Sequence, residues 1–363
     1  MAQLSLCMMV KNEGKTLARA IRSMPESEII IGVDKSSTDN TAKVAKKYAD
    51  KYFEFDWCDN FSLIRNKTLE LATKSWVCWM DGHEYISKKS RVYLENLDQI
   101  PEYVDSVNCR LSILDANKKE ILYFYSTKLL RNGHFKFQNK VHNKPVRLHE
   151  NGSMTATAKE IEIVHHRSDE LERQRSEQRR RLNIKSHLEA LKVDPCNSRE
   201  LMYLGQGYLE RGEFDKGLKV LIRQLKVSKW AEERYQVRIY ISSVQIDRGM
   251  FNEALGTLWP CEREDIRRAE HYILRGDAFF GLGQTYNAER CYLQALATPL
   301  PVSPMFILPH YYTWLPYQRL CDLHAFAGNH DKSMSYAVKL KKYRPDLAGV
   351  AMAQLSDKKQ EKG

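Results

Sequence analysis

The sequence predicts an α/β domain followed by an all-α domain of helical repeats. In the first half, short apolar runs alternate with segments of helical periodicity, which is typical of βαβ units in a mostly parallel sheet. In the second half, glycines recur at intervals of 37, 34 and 45 residues, at Gly212, Gly249, Gly283 and Gly328. A period near 34 residues is typical of stacked helix pairs. A length of 363 residues agrees with two domains.

Each element of the first half follows from its apolar spacing. The run 4–10 predicts a strand, and the apolar residues between Leu17 and Met24 predict the helix after it. The run 29–33 predicts a second strand, and the polar loop 34–41 leads into a helix that ends near Tyr48. The same reasoning predicts strands at 52–55, 76–80 and 161–166, a helix at 61–72, and a hairpin of 111–114 with 121–125.

The strand at 76–80 ends in three side chains that can act as ligands, Asp81, His83 and Glu84. Open α/β sheets carry their chemistry at the carboxyl ends of strands. A carboxylate and an imidazole two residues apart in an extended chain point the same way, as two ligands of one divalent ion must. A polar turn without function is the alternative interpretation. The chain has no glycine-rich phosphate loop of the dinucleotide or P-loop kind, so a metal and side chains would have to hold any phosphates.

Four short motifs occur in order at close spacing in the first half. They are Met-Val-Lys-Asn-Glu at 9–13, Asp-x-Ser-Ser-Thr-Asp-Asn-Thr at 34–41, Phe-Ser-x-x-Arg-Asn at 61–66 and Trp-Met-Asp-x-x-Glu at 79–84. Together they resemble the A-type-fold (GT-A) glycosyltransferases of family 2, which use nucleotide-diphospho-sugars. The resemblance covers roughly residues 3–170. It implies a nucleotide-sugar-binding GT-A domain and sugar transfer with inversion.

The resemblance also implies roles for residues that bind the donor. Val10, Asn12 and Glu13 would line the nucleotide pocket, and Asp34 would hydrogen-bond the base or the ribose. Arg65 would contact the diphosphate, a role that suits a planar guanidinium. A UDP-sugar is the expected donor.

The metal site departs from the usual family pattern. The family generally has Asp-x-Asp at this strand end, whereas this chain has Asp81-x-His83. That pair resembles the variant of polypeptide N-acetylgalactosaminyltransferases, in which the histidine is a manganese ligand. An imidazole with a carboxylate fits Mn²⁺ better than Mg²⁺, although Mg²⁺ is the alternative. A late histidine commonly completes the site in A-type transferases, and His165 matches that position best.

The catalytic base is not evident from the sequence. Relatives with a helical-repeat tail tend to have a glutamate after a Val-His pair, and Asn143 stands there in this chain. Asparagine cannot accept a proton at neutral pH. Beside Asp81, whose catalytic role would be metal binding, the candidates for a base are therefore Glu84, Glu150 and Asp115, unless the acceptor needs little deprotonation.

The second half begins with a strongly charged segment. Residues 171–195 predict a basic linking helix after a GT-A domain at 1–170, residues 196–355 predict tetratricopeptide-like repeats, and residues 356–363 predict a flexible polar tail. Prolines between 299 and 316 predict an insertion at one turn. A homodimer through the helical repeats is an expectation.

The composition of the chain gives expectations about its cellular compartment and its binding partners. No run of 18 apolar residues and no signal-peptide pattern occurs, and eight cysteines lie scattered, so a cytoplasmic protein without membrane insertion is expected. The net charge of +11 indicates a polyanionic partner, DNA or RNA first. A basic surface that attracts only nucleotide sugars is the alternative.

Three functions are therefore predicted. The first is a metal-dependent glycosyltransferase acting on hydroxymethylated pyrimidines in phage-type DNA, with phosphate contacts from Lys136, Lys140, Lys144, Arg147 and the arginines of the linking helix. The second is a peptide or protein S- or O-glycosyltransferase, because an A-type transferase with tetratricopeptide-like helices resembles the bacteriocin-modifying enzymes. The third is an interaction protein with a degenerate transferase domain.

Overall fold

The computed structural model describes residues 3–58, 60–139, 143–149, 152–166, 184–265 and 268–360. These residues divide into two compact units. The first unit contains the described residues up to 166 together with Val302–Phe306, and the second contains those of 184–301 and those from Ile307 onwards.

The first unit is built on an eight-stranded sheet with the order β3-β2-β1-β4-β7-β6-β10-β5, and β8 and β9 form a separate hairpin. The strands are β1 Leu4–Val10, β2 Glu28–Asp34, β3 Lys51–Phe55, β4 Trp76–Asp81, β5 Glu84–Ile86, β6 Val104–Leu114, β7 Glu120–Arg131, β8 Phe135–Gln138, β9 Lys144–Arg147 and β10 Met154–His166. Its helices are α1 Leu17–Ser23, α2 Thr41–Tyr48, α3 Phe61–Leu71 and α4 Arg91–Leu94, with a 3₁₀ turn at Leu97–Gln99. The predicted α/β class is confirmed.

Six strands of the sheet run in one direction. Strand β1 is parallel to β2 and β4, β2 is parallel to β3, and β6 is parallel to β10. Strand β7 is antiparallel to both β4 and β6, so β4 and β6 run the same way, and only β5 and β7 oppose them. The carboxyl ends of β1, β2, β4 and β10 therefore meet at one edge of the sheet.

Helices cover both faces of the parallel strands, which explains why those strands read as continuous apolar runs. Leu6 and Met8 of β1 pack with Leu17 of α1 in the main core. Cys7, between them in sequence, points to the opposite face and packs with Ala72 beyond the end of α3. This alternation fixes the register of β1, and with it the loop that follows Val10.

The second unit is a stack of antiparallel helix pairs. Residues 184–193 form α5, and the helices that follow are α6 Ser198–Glu210, α7 Phe214–Val227, α8 Ala231–Asp247, α9 Phe251–Leu258, α10 Cys261–Asp265, α11 Glu270–Gly281, α12 Thr285–Ala297, α13 Leu315–Phe326, α14 His330–Lys341 and α15 Pro345–Gln360. Gly212, Gly249, Gly283 and Gly328 have φ between 73° and 75°. A left-handed residue ends each first helix, and glycine adopts it without strain. The predicted helical repeats are confirmed.

Two details differ from the prediction or extend it. Helix α15 extends to Gln360 and so includes the first residues of the segment predicted as a tail; residues 356–360 contain no glycine or proline. The predicted proline-rich insertion contributes residues 302–306 to the first unit, where the Tyr125 N–H donates to the Ser303 carbonyl at 2.8 Å. Among the described residues, no helix has the length and apolar character needed to cross a membrane.

Candidate active site

The loops after β1 and β2 are held together by side-chain hydrogen bonds. Asn12 Oδ1 accepts from the Thr38 N–H at 2.8 Å, and the Glu13 N–H donates to Thr41 Oγ1 at 2.7 Å. Asn12 adopts a left-handed conformation with φ of 53°, which asparagine tolerates better than most residues. The first two family-like motifs therefore form one connected rim at the sheet edge.

Asp34 is buried at the end of β2. Its Oδ1 accepts from the Ser36 N–H at 2.8 Å and the Ser36 hydroxyl at 2.7 Å, and Lys11 Nζ lies 3.1 Å from Oδ2. Burial alone would raise the pKa of Asp34, but the Ser36 hydrogen bonds and the Lys11 charge outweigh it, so the pKa lies below its ordinary value. Asp34 is therefore an oriented anion in this rim.

Arg65 projects from the second turn of α3 towards the end of β4. Its Nη2 donates to Asp81 Oδ1 at 3.1 Å, and its Cζ lies 4.1 Å from the centroid of the Trp79 ring. Two further donors, Nε and Nη1, are buried without a hydrogen-bond partner among the described residues. Buried donors are normally paired, so these two N–H groups are an exception within the described residues.

The turn after β4 requires a glycine because it lies against the β1 loop. A Cβ on Gly82 would come within 2.7 Å of Glu13 Cγ and 3.0 Å of Val10 Cγ1. The Asp81 N–H donates to Glu84 Oε2 at 3.0 Å, which closes the turn. This packing brings the first and the fourth motif together.

His83 and His165 face each other at this edge. His83 Nε2 lies 3.2 Å from His165 Nδ1, the ring centroids are 4.3 Å apart, and His83 Nδ1 lies 2.8 Å from Glu13 Oε1. Burial lowers the pKa of His83, but the Glu13 hydrogen bond and the charges of Asp81, Glu13 and Glu84 outweigh it, so the pKa is raised above its ordinary value.

The donor set fits a divalent transition metal in part. Two imidazole nitrogens 3.2 Å apart can bind one ion, and a carboxylate behind His83 is the usual outer partner of a ligating histidine. Asp81, however, is turned towards Arg65, and within the described ranges no three His, Cys, Asp or Glu side chains converge on one point. The metal set of Asp81, His83 and His165 therefore stays a prediction.

Glu84 has an environment that argues against a role as base. Its carboxylate is 2% exposed and lies 2.9 and 3.1 Å from Lys128 Nζ, itself 2% exposed. Burial would raise the pKa of Glu84, but the Lys128 charge outweighs it and holds the pKa far below the usual range. Such a carboxylate holds the turn rather than accepting a proton. Sequence reasoning missed Lys128, because a lysine inside a strand carries no motif.

Among the other proposed bases and DNA contacts, Asp115 and Arg147 are engaged within the protein, whereas Lys136 and Lys144 are exposed. The Asp115 carboxylate accepts from the N–H groups of Asn117 and Lys119 at 2.9 and 2.8 Å, which caps its own hairpin turn. The guanidinium of Arg147 binds both oxygens of Asp105, at 2.7 and 2.8 Å. Three further predictions fall outside the described residues: Glu150, Lys140 and the arginines between 173 and 181.

Comparisons with known proteins agree with this geometry. Residues 5–161 match the family described as glycosyl transferase family 2. The SPbeta prophage-derived glycosyltransferase SunS of Bacillus subtilis is 27% identical over 203 residues, which is 54% of this chain and 47% of that protein. A TPR repeat-containing protein of Synechococcus elongatus is 35% identical over 101 residues, 27% of this chain and 25% of that one.

The chain thus spans half or less of the length of these curated relatives. A structure of MamA from Desulfovibrio magneticus covers 47% of this chain and 90% of its own, with 16% identity and a TM-score of 0.40, too low to add to the fold described above. The family match covers the four motifs and the strand-end turn that holds Asp81, and it ends before His165. The family to which this chain is similar is therefore glycosyl transferase family 2, and the similarity spans residues 5–161.

Proposed function

We propose that the protein is a metal-dependent glycosyltransferase that moves a sugar from a nucleotide-diphospho-sugar to a macromolecular acceptor. One observation carries the proposal: two buried N–H donors of Arg65 lack partners among the described residues, at the sheet edge where Asp81 and the paired histidines lie. A diphosphate supplies pairs of anionic oxygens that a planar guanidinium can bind with two parallel N–H groups.

The rim of Asn12, Glu13 and Asp34 would hold the nucleotide beside this diphosphate site. Asp34 is anionic and already oriented, which suits an acceptor of hydrogen bonds from a base or a ribose. We take a UDP-sugar as the first donor to test. Mn²⁺, held by His83, His165 and Asp81, would supply Lewis-acid stabilisation of the departing diphosphate when bound.

In the proposed reaction, the acceptor atom attacks the anomeric carbon from the face opposite the diphosphate. The bond between that carbon and the phosphate oxygen breaks, and the nucleoside diphosphate leaves with the electron pair. The acceptor's proton must go elsewhere, and Glu84 and Asp115 are both engaged within the protein. An acceptor that ionises readily, such as a thiol, needs the least help from a base.

These features favour a peptide or protein acceptor over DNA. The stacked helices of the second unit belong to an architecture that offers extended binding surfaces. Among the basic residues proposed to contact DNA, Arg147 is already paired with Asp105. The net charge of +11 is the observation that keeps DNA as the second candidate.

The proposal includes a cytoplasmic location and a homodimer through the helical repeats. All eight cysteines are free, which agrees with a reducing compartment. The dimer is tested by the mass of the full chain in sedimentation or light scattering.

The test of the function is a screen of nucleotide sugars with Mn²⁺, measuring release of the nucleoside diphosphate. The acceptors offered are peptides bearing cysteine or serine, and duplex DNA bearing hydroxymethylated pyrimidines. Mass spectrometry of peptides and of digested nucleosides then identifies the product. Glycosylated peptide with no modified nucleoside supports the peptide acceptor, and the reverse supports DNA. If the protein neither hydrolyses a donor nor binds any nucleoside diphosphate, an interaction protein is the better description.

A further inference from the structure

Trp79 lies at the centre of the donor site without being one of its predicted residues. It belongs to β4, two positions before Asp81, and is partly buried. Its indole N–H donates to the Thr127 carbonyl at 2.8 Å, and the Phe137 ring meets it edge-on at 5.3 Å. These contacts fix the position of the indole ring.

Two cations rest against this ring. Arg65 Cζ lies 4.1 Å and Lys128 Nζ lies 3.8 Å from its centroid. Arg65 also binds Asp81, Lys128 also binds Glu84, and Glu84 accepts from the Asp81 N–H. The ring and the strand-end turn are therefore joined into one closed circuit of contacts.

We propose that Trp79 is a positioning residue that holds the Arg65 guanidinium with its free N–H groups ready for the donor's diphosphate; this inference rests on the proposed function. An unrestrained arginine loses side-chain freedom when it binds a ligand, and a guanidinium stacked in advance has already lost it. The aromatic face attracts the cation without neutralising its charge, so the charge stays available to the diphosphate.

Asp81 alone could not keep Arg65 in place throughout the reaction. Its carboxylate would be the shared partner of Arg65 and of the metal, and its side chain is 37% exposed. If Asp81 were to bind a metal, Arg65 would lose its only ion-pair partner among the described residues, whereas its contacts with Trp79 and Phe137 do not involve Asp81. The aromatic contact is the part of the arrangement that does not depend on the state of Asp81.

The same strand offers a matched control. Trp76, at the start of β4, also has an arginine against its ring, with Arg131 Cζ 4.7 Å from the centroid. The Arg131 guanidinium donates to the carbonyls of Val104, Ile100 and Pro101, so three of its five N–H donors are already used within the protein. Trp76→Phe therefore perturbs a Trp–Arg contact of the same strand away from the donor site.

The experiment measures binding of UDP and of GDP, each with Mn²⁺, by calorimetry on the full chain. The proteins are wild type, Trp79→Phe, Trp79→Leu, Arg65→Lys, the Trp79→Leu/Arg65→Lys double variant and Trp76→Phe. Trp79→Leu should weaken binding of the preferred nucleotide by about tenfold and Trp79→Phe by about threefold, since loss of a desolvated cation–π contact has that size. Trp76→Phe should bind like wild type.

The double variant decides whether Trp79 acts through Arg65. If it does, Trp79→Leu should weaken nucleotide binding by less than about twofold when Arg65 is already lysine. If the loss of affinity in the double variant equals the product of the two single losses, the inference is overturned, because the ring then acts independently of Arg65. Unchanged binding in both Trp79 variants would also overturn it. Trp79→Phe keeps an aromatic ring in the site and so gives an answer even if Trp79→Leu does not fold. Failure of wild type to bind or hydrolyse any nucleotide donor would instead count against the proposed function.

Discussion

The buried Lys128–Glu84 pair gives the sharpest test of how the strand-end turn is held. Lys128→Met keeps the volume of the side chain but leaves the Glu84 carboxylate buried without its cation. Both side chains are 2% exposed, so water cannot replace the lost partner. Removing one member of such a pair costs about 3 to 5 kcal/mol. We expect that loss in the free energy of unfolding of the first unit.

A second substitution separates charge from shape. In Lys128→Met/Glu84→Gln no buried charge remains, and the glutamine can still accept from the Asp81 N–H. Replacing a buried ion pair by neutral groups is often close to neutral in stability, so the double variant should recover most of the loss. Hydrogen exchange of peptides from β4 and β7, followed in increasing denaturant, reports this unit separately from the helical repeats.

The effect of Lys128→Met on stability should also depend on pH, in a direction that follows from the pKa of Glu84. In wild type the pKa of Glu84 lies below its unfolded value, so the stability from this carboxylate is present above about pH 4 and is lost only under strongly acidic conditions. In Lys128→Met, burial without the cation raises the pKa of Glu84, so protonation relieves the penalty as the pH falls. The difference in the free energy of unfolding between wild type and Lys128→Met should therefore become smaller as the pH falls from 8 to 5. A difference below about 1 kcal/mol, or one that does not change with pH, would refute this account of the pair.

Three further predictions concern function. Arg65→Lys keeps the charge but loses the forked donor geometry, so calorimetry should show donor affinity weaker by about tenfold; equal affinity would remove Arg65 from the diphosphate site. Asp81→Ala should abolish nearly all sugar transfer and leave the circular dichroism spectrum unchanged. Wild-type turnover should require a divalent metal and be faster with Mn²⁺ than with Mg²⁺. Full turnover in excess chelator would contradict the metal site. If DNA is the acceptor, its affinity should fall by about 0.9 log units per phosphate contact for each tenfold rise in salt, whereas a shallow slope in a filter-binding titration favours a peptide.

The donor side of the site could be predicted because it depends on local motifs at strand ends. Parallel strands bring their carboxyl ends together, and the resemblance to family 2 transferases implied that Arg65 and Asp81 would meet at the diphosphate and His83 and His165 at the metal; the structure has both pairs in contact. The turn glycines could be predicted for a similar reason, since a left-handed residue at a helix end strongly favours glycine.

What the sequence could not show is the depth at which a charged residue lies. Glu84 follows the metal motif and reads as an accessible carboxylate, yet β5 pairs with β10 and places it in the interior beside a lysine 44 positions away. That lysine lies within β7, whose position between β4 and β6 depends on long-range pairing. Local spacing carries no information about such a pair.

The electrostatic state of the site connects these findings to the choice of acceptor. Four carboxylates lie around the reacting edge of the sheet, and each is engaged by a partner within the protein: Glu13, Asp34, Asp81 and Glu84. Of these, Asp34 and Glu84 each have a pKa below the ordinary value, so these two carboxylates accept a proton poorly. Within the proposed function, we therefore expect these two carboxylates to orient the donor or hold the strand-end turn rather than to deprotonate an acceptor. Such an arrangement serves best an acceptor that needs little help from a base, and a cysteine thiol loses its proton far more readily than a serine or threonine hydroxyl.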